Sequence, residues 1–362
     1  MATHFHRLTI ADIRKETPDC VSIAFKVPDD LKTTYLFKHG QNLTLRTIMN
    51  GEEVRRSYSI CSSPAENELR VAIKKAPFGK FSVWANNLLK TGDTVEVMPP
   101  TGTFYTELDP AHKKKYLAFA AGSGITPVIS IIKTTLSTEP DSSFTLVYGN
   151  QNRNSIIFKE QLEALKNKYI NRLAIHFILS REQTEAAIYS GRIDADKLNE
   201  LSKKLINIHA MDHTFICGPE QMIFTVMNWL QQQGVDKKKI HFELFTTPGQ
   251  KAEGGSKKSE VREEKLVTES SRVTVKLDGI SFDFDLPFDG ETILEAALKQ
   301  GADLPFSCKG GVCSTCKARL MQGKVDMDTN YALEQEEVDA GYILTCQSHP
   351  RTEKVVVDFD VK

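Results

Sequence analysis

The chain has 362 residues, of which 40% are hydrophobic and 26% are charged, the ordinary balance of a soluble globular protein. This length is too great for one ordinary domain and predicts two or three. The formal net charge is -1, so the chain lacks the basic excess of a nucleic-acid-binding protein, and we expect no nucleic-acid partner. Its seven cysteines are too few, and odd in number, for a disulfide scaffold.

The start of the chain and its most apolar stretch bear on localisation. The first ten residues contain no apolar h-region, so no secretory signal is visible. Residues 116–132 are the most apolar, but they are interrupted by Gly122, Gly124 and Pro127 and are too short for a transmembrane helix. We therefore expect a cytoplasmic protein without a membrane partner. In that compartment, cysteines clustered in one segment favour metal binding or redox chemistry over disulfides.

Three patterns follow one another along the chain. Residues 1–110 contain short β-type runs separated by turn signals, which predict an antiparallel β-barrel or sandwich. In residues 111–246, apolar β-type runs alternate with helical runs, which predicts an α/β domain with a parallel sheet. Residues 247–271 are rich in glycine, serine and mixed charges and predict a flexible linker. The last domain, residues 272–362, opens with two alternating runs joined by an Asp-Gly hairpin signal.

The predicted elements can be placed in chain order. In the first domain the strands are residues 8–13, 21–27, 42–48, 55–60, 69–74 and 94–98, with a helix at 80–89. In the second domain the strands are residues 116–121, 144–148, 173–180, 215–217 and 240–245, and the helices are 127–136, 158–168, 195–205 and 222–232. In the last domain the strands are residues 272–277 and 280–286, followed by a helix at 292–299.

Four cysteines in the last domain form the most specific motif: Cys308-x4-Cys313-x2-Cys316, with Cys346 farther along. This is the spacing of a plant-type [2Fe–2S] ferredoxin site. The alternative is a zinc site, but structural zinc usually takes two short-spaced pairs of cysteines. A hairpin, a helix and then the cysteine loop also resemble the ferredoxin β-grasp fold, so the resemblance covers residues 272–362.

Two motifs in the first domain share a chemistry suited to a flavin: Arg56-Ser57-Tyr58-Ser59 at a strand end, and Gly79-Lys80-Phe81-Ser82 at the start of a helix. A helix N-terminus with a glycine and a hydroxyl suits a pyrophosphate. Either motif alone is weak. Together they resemble the FAD-binding site of the ferredoxin–NADP reductase superfamily.

That resemblance implies a role for each residue. Tyr58 would stack on the isoalloxazine ring, Arg56 would pair with the pyrophosphate, and Ser59 would bond the flavin edge. The backbone amides of residues 79–82 would hold the phosphates. Tyr58 and Ser59 are therefore candidate catalytic residues.

A glycine-rich turn joins a buried strand to a helix in the second domain: Gly122-Ser123-Gly124-Ile125-Thr126-Pro127. Glycines allow a close approach of the backbone, and the following helix N-terminus favours an anion. The turn departs from the G-x-G-x-x-G fingerprint, since Pro127 stands where the third glycine would be. In the reductase superfamily, however, the G-x-G-x-T-P form is the one expected for a nicotinamide nucleotide.

Three more groups of residues follow from the same resemblance. Cys217-Gly218-Pro219 ends a later strand, and in the superfamily such a cysteine lies where the hydride crosses between nicotinamide and flavin. Ser180-Arg181 resembles the NADPH form of the adenosine site, with Arg192 as a possible second cation, so NADPH is favoured over NADH. Glu243 and Phe245, at the end of the last strand, are candidates for contact with the flavin and the nicotinamide, whereas His241 is expected at the surface.

Three cofactor sites on one chain predict an electron path. A nicotinamide delivers two electrons as a hydride, a [2Fe–2S] cluster accepts one at a time, and a flavin can do both. We therefore expect an NAD(P)H-dependent oxidoreductase that passes electrons from NADPH through FAD and the cluster to an oxygenase component. The layout resembles the reductase components of phenylacetyl-CoA epoxidase, which we favour, and those of 3-ketosteroid 9α-hydroxylase and aromatic ring hydroxylases.

Two other classes of protein stay open at this point. One is a binding or sensor protein whose cysteine site holds zinc and whose nucleotide sites are inert. The other is a stand-alone NAD(P)H oxidase that reduces oxygen or a small acceptor directly.

Overall fold

The computed structural model describes residues 4–76, 78–245 and 269–361. One compact unit is Phe5–Phe245, and the other contains the described residues from 269 onward. No helix within these described ranges is long and apolar enough to cross a membrane. The predicted linker at residues 247–271 lies outside them as far as residue 268, and its last residues belong to a strand that begins at Ser270.

A six-stranded antiparallel sheet forms the first part of unit 5–245. Its strands are β1 (His6–Thr17), β2 (Cys20–Lys26), β3 (Asn42–Met49), β4 (Glu52–Ser59), β5 (Leu69–Lys74) and β6 (Thr94–Val97), in the order β4-β3-β6-β1-β2-β5. Alternate residues of β1, such as Leu8 and Ile10, are buried in its core. The edge strands meet where Ile60 bridges Val71. Helix α1 (Lys80–Asn87) follows β5, as predicted.

A five-stranded parallel sheet with helices forms the second part of unit 5–245, as the alternating pattern predicts. Its strands are β7 (Lys115–Ala121), β8 (Ser143–Asn150), β9 (Leu173–Leu179), β10 (His213–Gly218) and β11 (Ile240–Leu244). Its helices are α2 (Ile125–Thr138), α3 (Lys159–Lys168), α4 (Ala195–Lys204) and α5 (Glu220–Gln232). The strand order is β11-β10-β7-β8-β9, and all neighbours are parallel.

That strand order places a crevice in the middle of the parallel sheet. The chain runs outward from β7 through β8 to β9 and then returns to β10 on the other side of β7. The connections that leave β7 and β10 therefore turn in opposite directions at the carboxyl edge. In open α/β sheets, ligands bind in the crevice that such a reversal opens.

The antiparallel sheet has a core of its own, and a second apolar cluster spans its junction with the parallel sheet. Cys20, Cys61 and Phe104 from the antiparallel part pack in the same cluster as residues of α2, β7, β8 and β10. The ring of Phe104 meets the ring of Phe215 edge to face, with centroids 5.4 Å apart. Helix α2 lies within this second cluster and has 11 buried residues among its 14.

The second unit has a mixed sheet with short helices. This is the ferredoxin-like fold that the sequence pattern of residues 272–362 predicts. Its strands are β12 (Ser270–Leu277), β13 (Ile280–Pro287), β14 (Lys317–Gln322), β15 (Val325–Met327), β16 (Tyr342–Leu344), β17 (Ser348–Pro350) and β18 (Lys354–Asp358). Its helices are α6 (Ile293–Lys299) and α7 (Gln335–Asp339). The sheet order is β13-β12-β18-β14-β16, with β12 and β18 parallel. Both Asp278 and Gly279 have positive φ, as a two-residue hairpin turn requires.

The expectation that His241 lies at the surface is wrong. Its ring is partly buried and stacks on Phe215 at 5.0 Å, and its Nε2 lies 3.1 Å from Nδ1 of His213. Burial and the neighbouring His213 lower the pKa of His241 to about 4. A residue on an edge strand is expected to be exposed, but here His213 of the adjacent strand covers the imidazole.

A buried carboxylate ties the connection between the two sheets to the end of α2. The side chain of Glu139 is fully buried and accepts hydrogen bonds from four donors: Asp109 N (3.2 Å), His112 Nδ1 (2.8 Å), Tyr116 Oη (2.9 Å) and Ser142 Oγ (2.7 Å). Burial alone would raise the pKa of Glu139, but the bonds from Ser142, His112 and Tyr116 hold that pKa below its usual value.

Replacing Glu139 by alanine leaves these donors without an acceptor, and we expect the free energy of unfolding of unit 5–245 to fall by about 3 kcal/mol or more. Because its pKa is depressed in the folded protein, the carboxylate stabilises the fold above its ordinary pKa of 4.5, and this contribution is lost as the pH falls through the folded value. The difference between wild type and Glu139→Gln should therefore shrink in acid.

Denaturant unfolding followed by tryptophan fluorescence measures this effect, because both tryptophans, Trp84 and Trp229, lie in unit 5–245. Glu107→Ala is the control, since Glu107 forms an exposed ion pair with Lys38 and should change stability by less than about 1 kcal/mol. Equal losses in the Glu139→Ala and Glu107→Ala variants would contradict the prediction.

Candidate functional site

The carboxyl edge of the parallel sheet borders a cavity of about 640 Å³. Seven of the residues that the sequence predicts for nucleotide binding line it: Gly122, Ser180, Arg181, Arg192, Gly218, Pro219 and Phe245. The cavity lies at the crevice that the strand order opens, between the ends of β7 and β10. The predicted turn, strand end and adenosine site therefore converge on one space large enough for a dinucleotide to enter.

Four other predicted residues shape the turn without lining the cavity. A Cβ on Gly124 would lie 2.1 Å from the carbonyl oxygen of Cys217, so only glycine lets the start of α2 pack against the end of β10. The Thr126 hydroxyl donates to the Ser123 carbonyl at 3.0 Å and closes the turn. Pro127 lies in the first turn of α2, where a backbone N–H would have no partner within the helix. Cys217 itself is fully buried beneath the cavity.

The two predicted flavin motifs, which are separate in sequence, meet in the structure. Tyr58 on β4 is half-buried, and its ring centroid lies 5.6 Å from that of Phe81 on α1. Burial raises the pKa of Tyr58, so its hydroxyl is neutral at pH 7. Arg56, on the same face of β4 as Tyr58, donates to the Arg55 carbonyl at 2.6 Å. An aromatic ring thus lies against α1, with a cation on the same face of β4.

The first turn of α1 is arranged as an anion site. Gly79 precedes the helix with an extended backbone, and no side chain caps α1 there. Its first N–H groups suit a phosphate for that reason. Ser82 is buried, and its Oγ accepts from Ala76 N at 3.0 Å and donates to the Gly79 carbonyl at 3.3 Å. The Ser82 hydroxyl therefore holds the loop, and the Lys80 ammonium pairs with Glu52 at 2.9 Å.

A carboxyl group links the flavin strand to the edge of the parallel sheet. The Ser59 hydroxyl donates to Glu243 Oε2 at 3.0 Å, which joins β4 to β11. Glu243 is also the register partner of Cys217 on β10. Burial raises the pKa of Glu243 to about 8, although the bond from Ser59 opposes this shift. Burial, together with Glu243, raises the pKa of the Cys217 thiol. Both groups are therefore mainly protonated at pH 7.

Lys74 and Asn150 are among the residues that line the cavity without a counterpart among the predicted site residues. Lys74 reaches it from β5 of the antiparallel sheet, and no motif could have indicated this because it depends on how the two sheets pack. Asn150 ends β8 and is buried. Within the described structure, neither the nitrogen nor the oxygen of its side-chain amide has a hydrogen-bond partner. A polar residue at the carboxyl end of an apolar parallel strand is a signal that could have found Asn150.

The cysteine loop of the second unit brings its thiols together. The sulfurs of Cys308 and Cys313 lie 3.1 Å apart, and Gly310 N–H donates to Cys308 Sγ at 3.3 Å. Cys346 is within hydrogen-bonding reach of Cys308 and Cys316. A Cβ on Gly311, whose φ is +72°, would lie 2.5 Å from the Thr329 carbonyl oxygen, so the loop needs glycine there.

The donor set fits a [2Fe–2S] cluster. Among the described residues, no group of three or more His, Cys, Asp or Glu side chains is arranged to hold a single metal ion. A [2Fe–2S] cluster requires two thiolates on each of its two irons, so four thiols that approach in neighbouring pairs suit it. The glycine N–H at Cys308 is the kind of hydrogen bond to sulfur that stabilises such a cluster.

Three known families match successive parts of the chain. They are the oxidoreductase FAD-binding domain over residues 7–105, the oxidoreductase NAD-binding domain over residues 119–228, and the 2Fe-2S iron-sulfur cluster binding domain over residues 275–351. The solved structure of phthalate dioxygenase reductase, described as a modular structure for electron transfer from pyridine nucleotides to [2Fe-2S], is similar with a TM-score of 0.57 and 25% identity, over 98% of each chain.

Full-length relatives make the assignment more specific. The chain is 46% identical over 360 residues to one of the subunits of the 1,2-phenylacetyl-CoA epoxidase of Escherichia coli (strain K12), with 99% of each chain covered. It is 35% identical over 355 residues to the ferredoxin reductase component of 3-ketosteroid-9-alpha-monooxygenase of Rhodococcus rhodochrous, with 97% of this chain and 96% of that one covered.

The fold and the three sites define a flavin- and iron–sulfur-containing oxidoreductase that uses a pyridine nucleotide. The chain belongs to the family of reductase components of oxygenase systems, which join FAD-binding, NAD-binding and 2Fe-2S domains. The predicted class of enzyme is confirmed, as are FAD, the [2Fe–2S] cluster and a pyridine nucleotide as its cofactors. The roles of individual site residues stay predictions.

Because of Glu243, we expect the free energy of unfolding of unit 5–245 to depend on pH. The carboxyl group stays protonated in the folded protein up to about pH 8, whereas its ordinary pKa is 4.5. Between these values the unfolded chain holds fewer protons than the folded one, so the free energy of unfolding falls as the pH rises and levels off above about pH 8. We expect Glu243→Gln to remove this fall.

Unfolding of the purified flavoprotein at several pH values between 5 and 9, followed by tryptophan fluorescence, measures the effect. The quantity of interest is the difference between wild type and Glu243→Gln at each pH. Glu185→Gln, at an exposed position, is the control and should leave the curve unchanged. Parallel curves for wild type and Glu243→Gln would show that Glu243 is ionised in the folded protein.

Proposed function

We propose that this protein oxidises NADPH and delivers the electrons, one at a time, to the oxygenase component of a phenylacetyl-CoA epoxidase-type system. The observation that carries the proposal is the likeness at 46% identity, over 99% of both chains, to a subunit of that enzyme. The presence of the FAD, nucleotide and [2Fe–2S] domains on one chain supports it.

The chemistry of the cofactors accounts for this domain composition. A flavin accepts a hydride from a nicotinamide and passes electrons on singly to a one-electron centre. The chain's own residues bind and orient. Tyr58 and the first turn of α1 would hold the flavin, and the turn at residues 122–124 would hold the pyrophosphate of the nucleotide. Ser59 and Glu243 provide a neutral, hydrogen-bonded contact at the junction, which does not oppose the arrival of a hydride.

The charges around the cavity support NADPH over NADH. Lys74, Arg181 and Arg192 line it, and the acid among the described lining residues is Asp194. The Asp194 carboxylate accepts from Lys197 N at 2.9 Å and caps α4, so it is engaged by the helix. An NADH-selective site usually directs a free carboxylate at the ribose 2′-hydroxyl, whereas cations suit a 2′-phosphate.

The state of the cysteines supports a reducing compartment as the location of the protein. The seven cysteines are all unpaired, and the four thiols of the cluster site must remain so to bind iron. The cytoplasm keeps thiols in this state and is therefore the proposed location.

Arg181→Ala tests the choice of nucleotide. Loss of a charge-assisted contact with the 2′-phosphate should raise the dissociation constant for NADPH about 10- to 100-fold and leave that for NADH within about threefold. Arg153→Ala is the matched control, because Arg153 pairs with Glu182 at 3.0 Å and does not line the cavity. Equal losses for both nucleotides in Arg181→Ala would contradict the assignment.

Reconstitution with candidate oxygenases tests the acceptor. We expect NADPH-dependent product formation with the oxygenase component of a phenylacetyl-CoA epoxidase and none with that of a 3-ketosteroid hydroxylase. The latter is the second candidate, because a reductase of that system is 35% identical over nearly the whole chain. Product with the 3-ketosteroid enzyme alone would transfer the assignment to it.

The variant Cys308→Ser separates delivery through the cluster from direct reaction at the flavin. It should lose the absorption bands of the [2Fe–2S] cluster and the coupling to the oxygenase, while it keeps FAD and NADPH-dependent reduction of ferricyanide. Fast NADPH oxidation that needs no partner, and that Cys308→Ser leaves intact, would instead support the stand-alone oxidase.

A further inference from the structure

The short segment Ser62-Ser63-Pro64, which begins three residues after the end of β4, is bonded to the middle of α2. The Ser130 hydroxyl donates to the Ser62 carbonyl at 2.6 Å, and Thr134 Oγ1 lies 3.1 Å from Ser63 Oγ. Ser130 is fully buried, and Thr134 is 9% exposed. These four residues, Ser62, Ser63, Ser130 and Thr134, are called the hydroxyl clasp below.

Each side of the hydroxyl clasp is held firmly by its own surroundings. On the side of the antiparallel sheet, Ser62 Oγ accepts from Arg70 N at 3.1 Å, which fixes it to β5. Ser63 N–H donates to Glu66 at 2.8 Å within the following turn. On the helix side, the Thr134 hydroxyl donates to the Ser130 carbonyl at 2.7 Å. A shift of one side would therefore be transmitted to the other.

The hydroxyl clasp lies close to both halves of the reaction site. Tyr58 and Ser59 stand at the end of β4, immediately before Ile60 and the clasp. Ser130 is about 7.5 Å along the helix from Ile125, at about 1.5 Å per residue, and Ile125 follows the nucleotide turn. The clasp thus connects the strand assigned to the flavin with the helix assigned to the nucleotide over a short distance.

The bond of Ser59 to Glu243 also joins the two sheets, but it connects β4 to the edge strand β11 and not to α2. Two further contacts between the sheets do not fix position in the same way. The ring contact of Phe104 with Phe215 is apolar, and aromatic pairs tolerate centroid separations from about 4.5 to 7 Å, so it sets a position less closely. The ion pair of Lys133 with Glu66, at 3.1 Å, is partly exposed, and such pairs contribute little. A buried hydroxyl on a carbonyl, by contrast, sets both a distance and an angle.

We propose that Ser130 and Thr134 are positioning residues for hydride transfer, because they fix the nucleotide end of α2 against the flavin strand. The proposal rests on the proposed function, in which β4 and α2 hold the two reactants. In the step concerned, one hydrogen with its electron pair leaves C4 of the dihydronicotinamide, which is oxidised, and bonds to the flavin, which is reduced. A displacement of about 1 Å between reactants can cost about 100-fold in rate.

The double variant Ser130→Ala with Thr134→Val tests this inference in the full-length holoprotein. Wild type is measured first, and NADPH-dependent flavin bleaching in a stopped-flow instrument establishes the underlying reaction independently of the clasp. In the double variant, we expect the bleaching rate at saturating NADPH to fall about 10-fold. The dissociation constant for NADP⁺ and the FAD content should stay within about twofold of wild type.

Two single variants supply controls. Ser137→Ala, on the same helix, removes a hydroxyl that donates to the Thr134 carbonyl within α2 at 3.0 Å, and it should leave the rate unchanged. Thr134→Ser keeps the hydroxyl and should keep the rate, whereas Thr134→Val removes it at nearly constant shape and should slow the step. This pair also decides the matter if the double variant fails to fold.

Two results would overturn the inference. One is a double variant, or Thr134→Val, that is less stable but transfers the hydride within twofold of the wild-type rate. The other is a slower rate fully explained by weaker binding of NADPH or FAD, since that would assign the residues to binding. A primary deuterium isotope effect on bleaching, larger in the slow variant than in wild type, would support the inference because it shows that the hydride step itself is affected.

Discussion

The burial of helix α2 on both sides is the constraint on which the rest of unit 5–245 depends. One side of the helix packs on the parallel sheet and the other on the antiparallel sheet, in a single apolar core. Its start is pressed against β10 through Gly124, and the residue after its end, Glu139, anchors the connection between the sheets. A helix fixed at both ends cannot move without disturbing the nucleotide cavity, so the geometry of the site is a consequence of the core.

In unit 5–245, charged and neutral side chains lie in different parts of the site. At one end of the cavity, Arg181 and Arg192 offer charge to an anionic nucleotide. Near β4, burial keeps Glu243 and Cys217 mainly protonated at neutral pH, so no fixed anion stands where a hydride would arrive. The cysteines of the second unit must instead be ionised to bind a cluster, because iron binds thiolate. Backbone N–H groups such as that of Gly310 stabilise the negative charge on the sulfur.

Short motifs were sufficient for the chemistry that resides in one loop. The spacing from Cys308 to Cys316 and the turn at residues 122–127 predict their cofactors because each motif holds characteristic groups of its site within a few consecutive residues. Residues whose role depends on packing were not predictable in this way. The contact of His241 with His213, the reach of Lys74 into the cavity and the bond of Ser130 to Ser62 all join segments far apart in sequence. Each follows from sheet register or from the packing of one sheet on another, neither of which a single sequence encodes locally.

In the function proposed above, electrons from a nicotinamide reach the cluster through the flavin of the same chain. An anaerobic titration of the purified protein with NADPH, followed by visible absorption and electron paramagnetic resonance, measures this directly. We expect uptake of about three electrons per chain, two by FAD and one by the cluster, with a rhombic signal from the reduced cluster. Uptake of two electrons by the flavin, with the cluster bands unchanged in a protein that contains its iron, would contradict it.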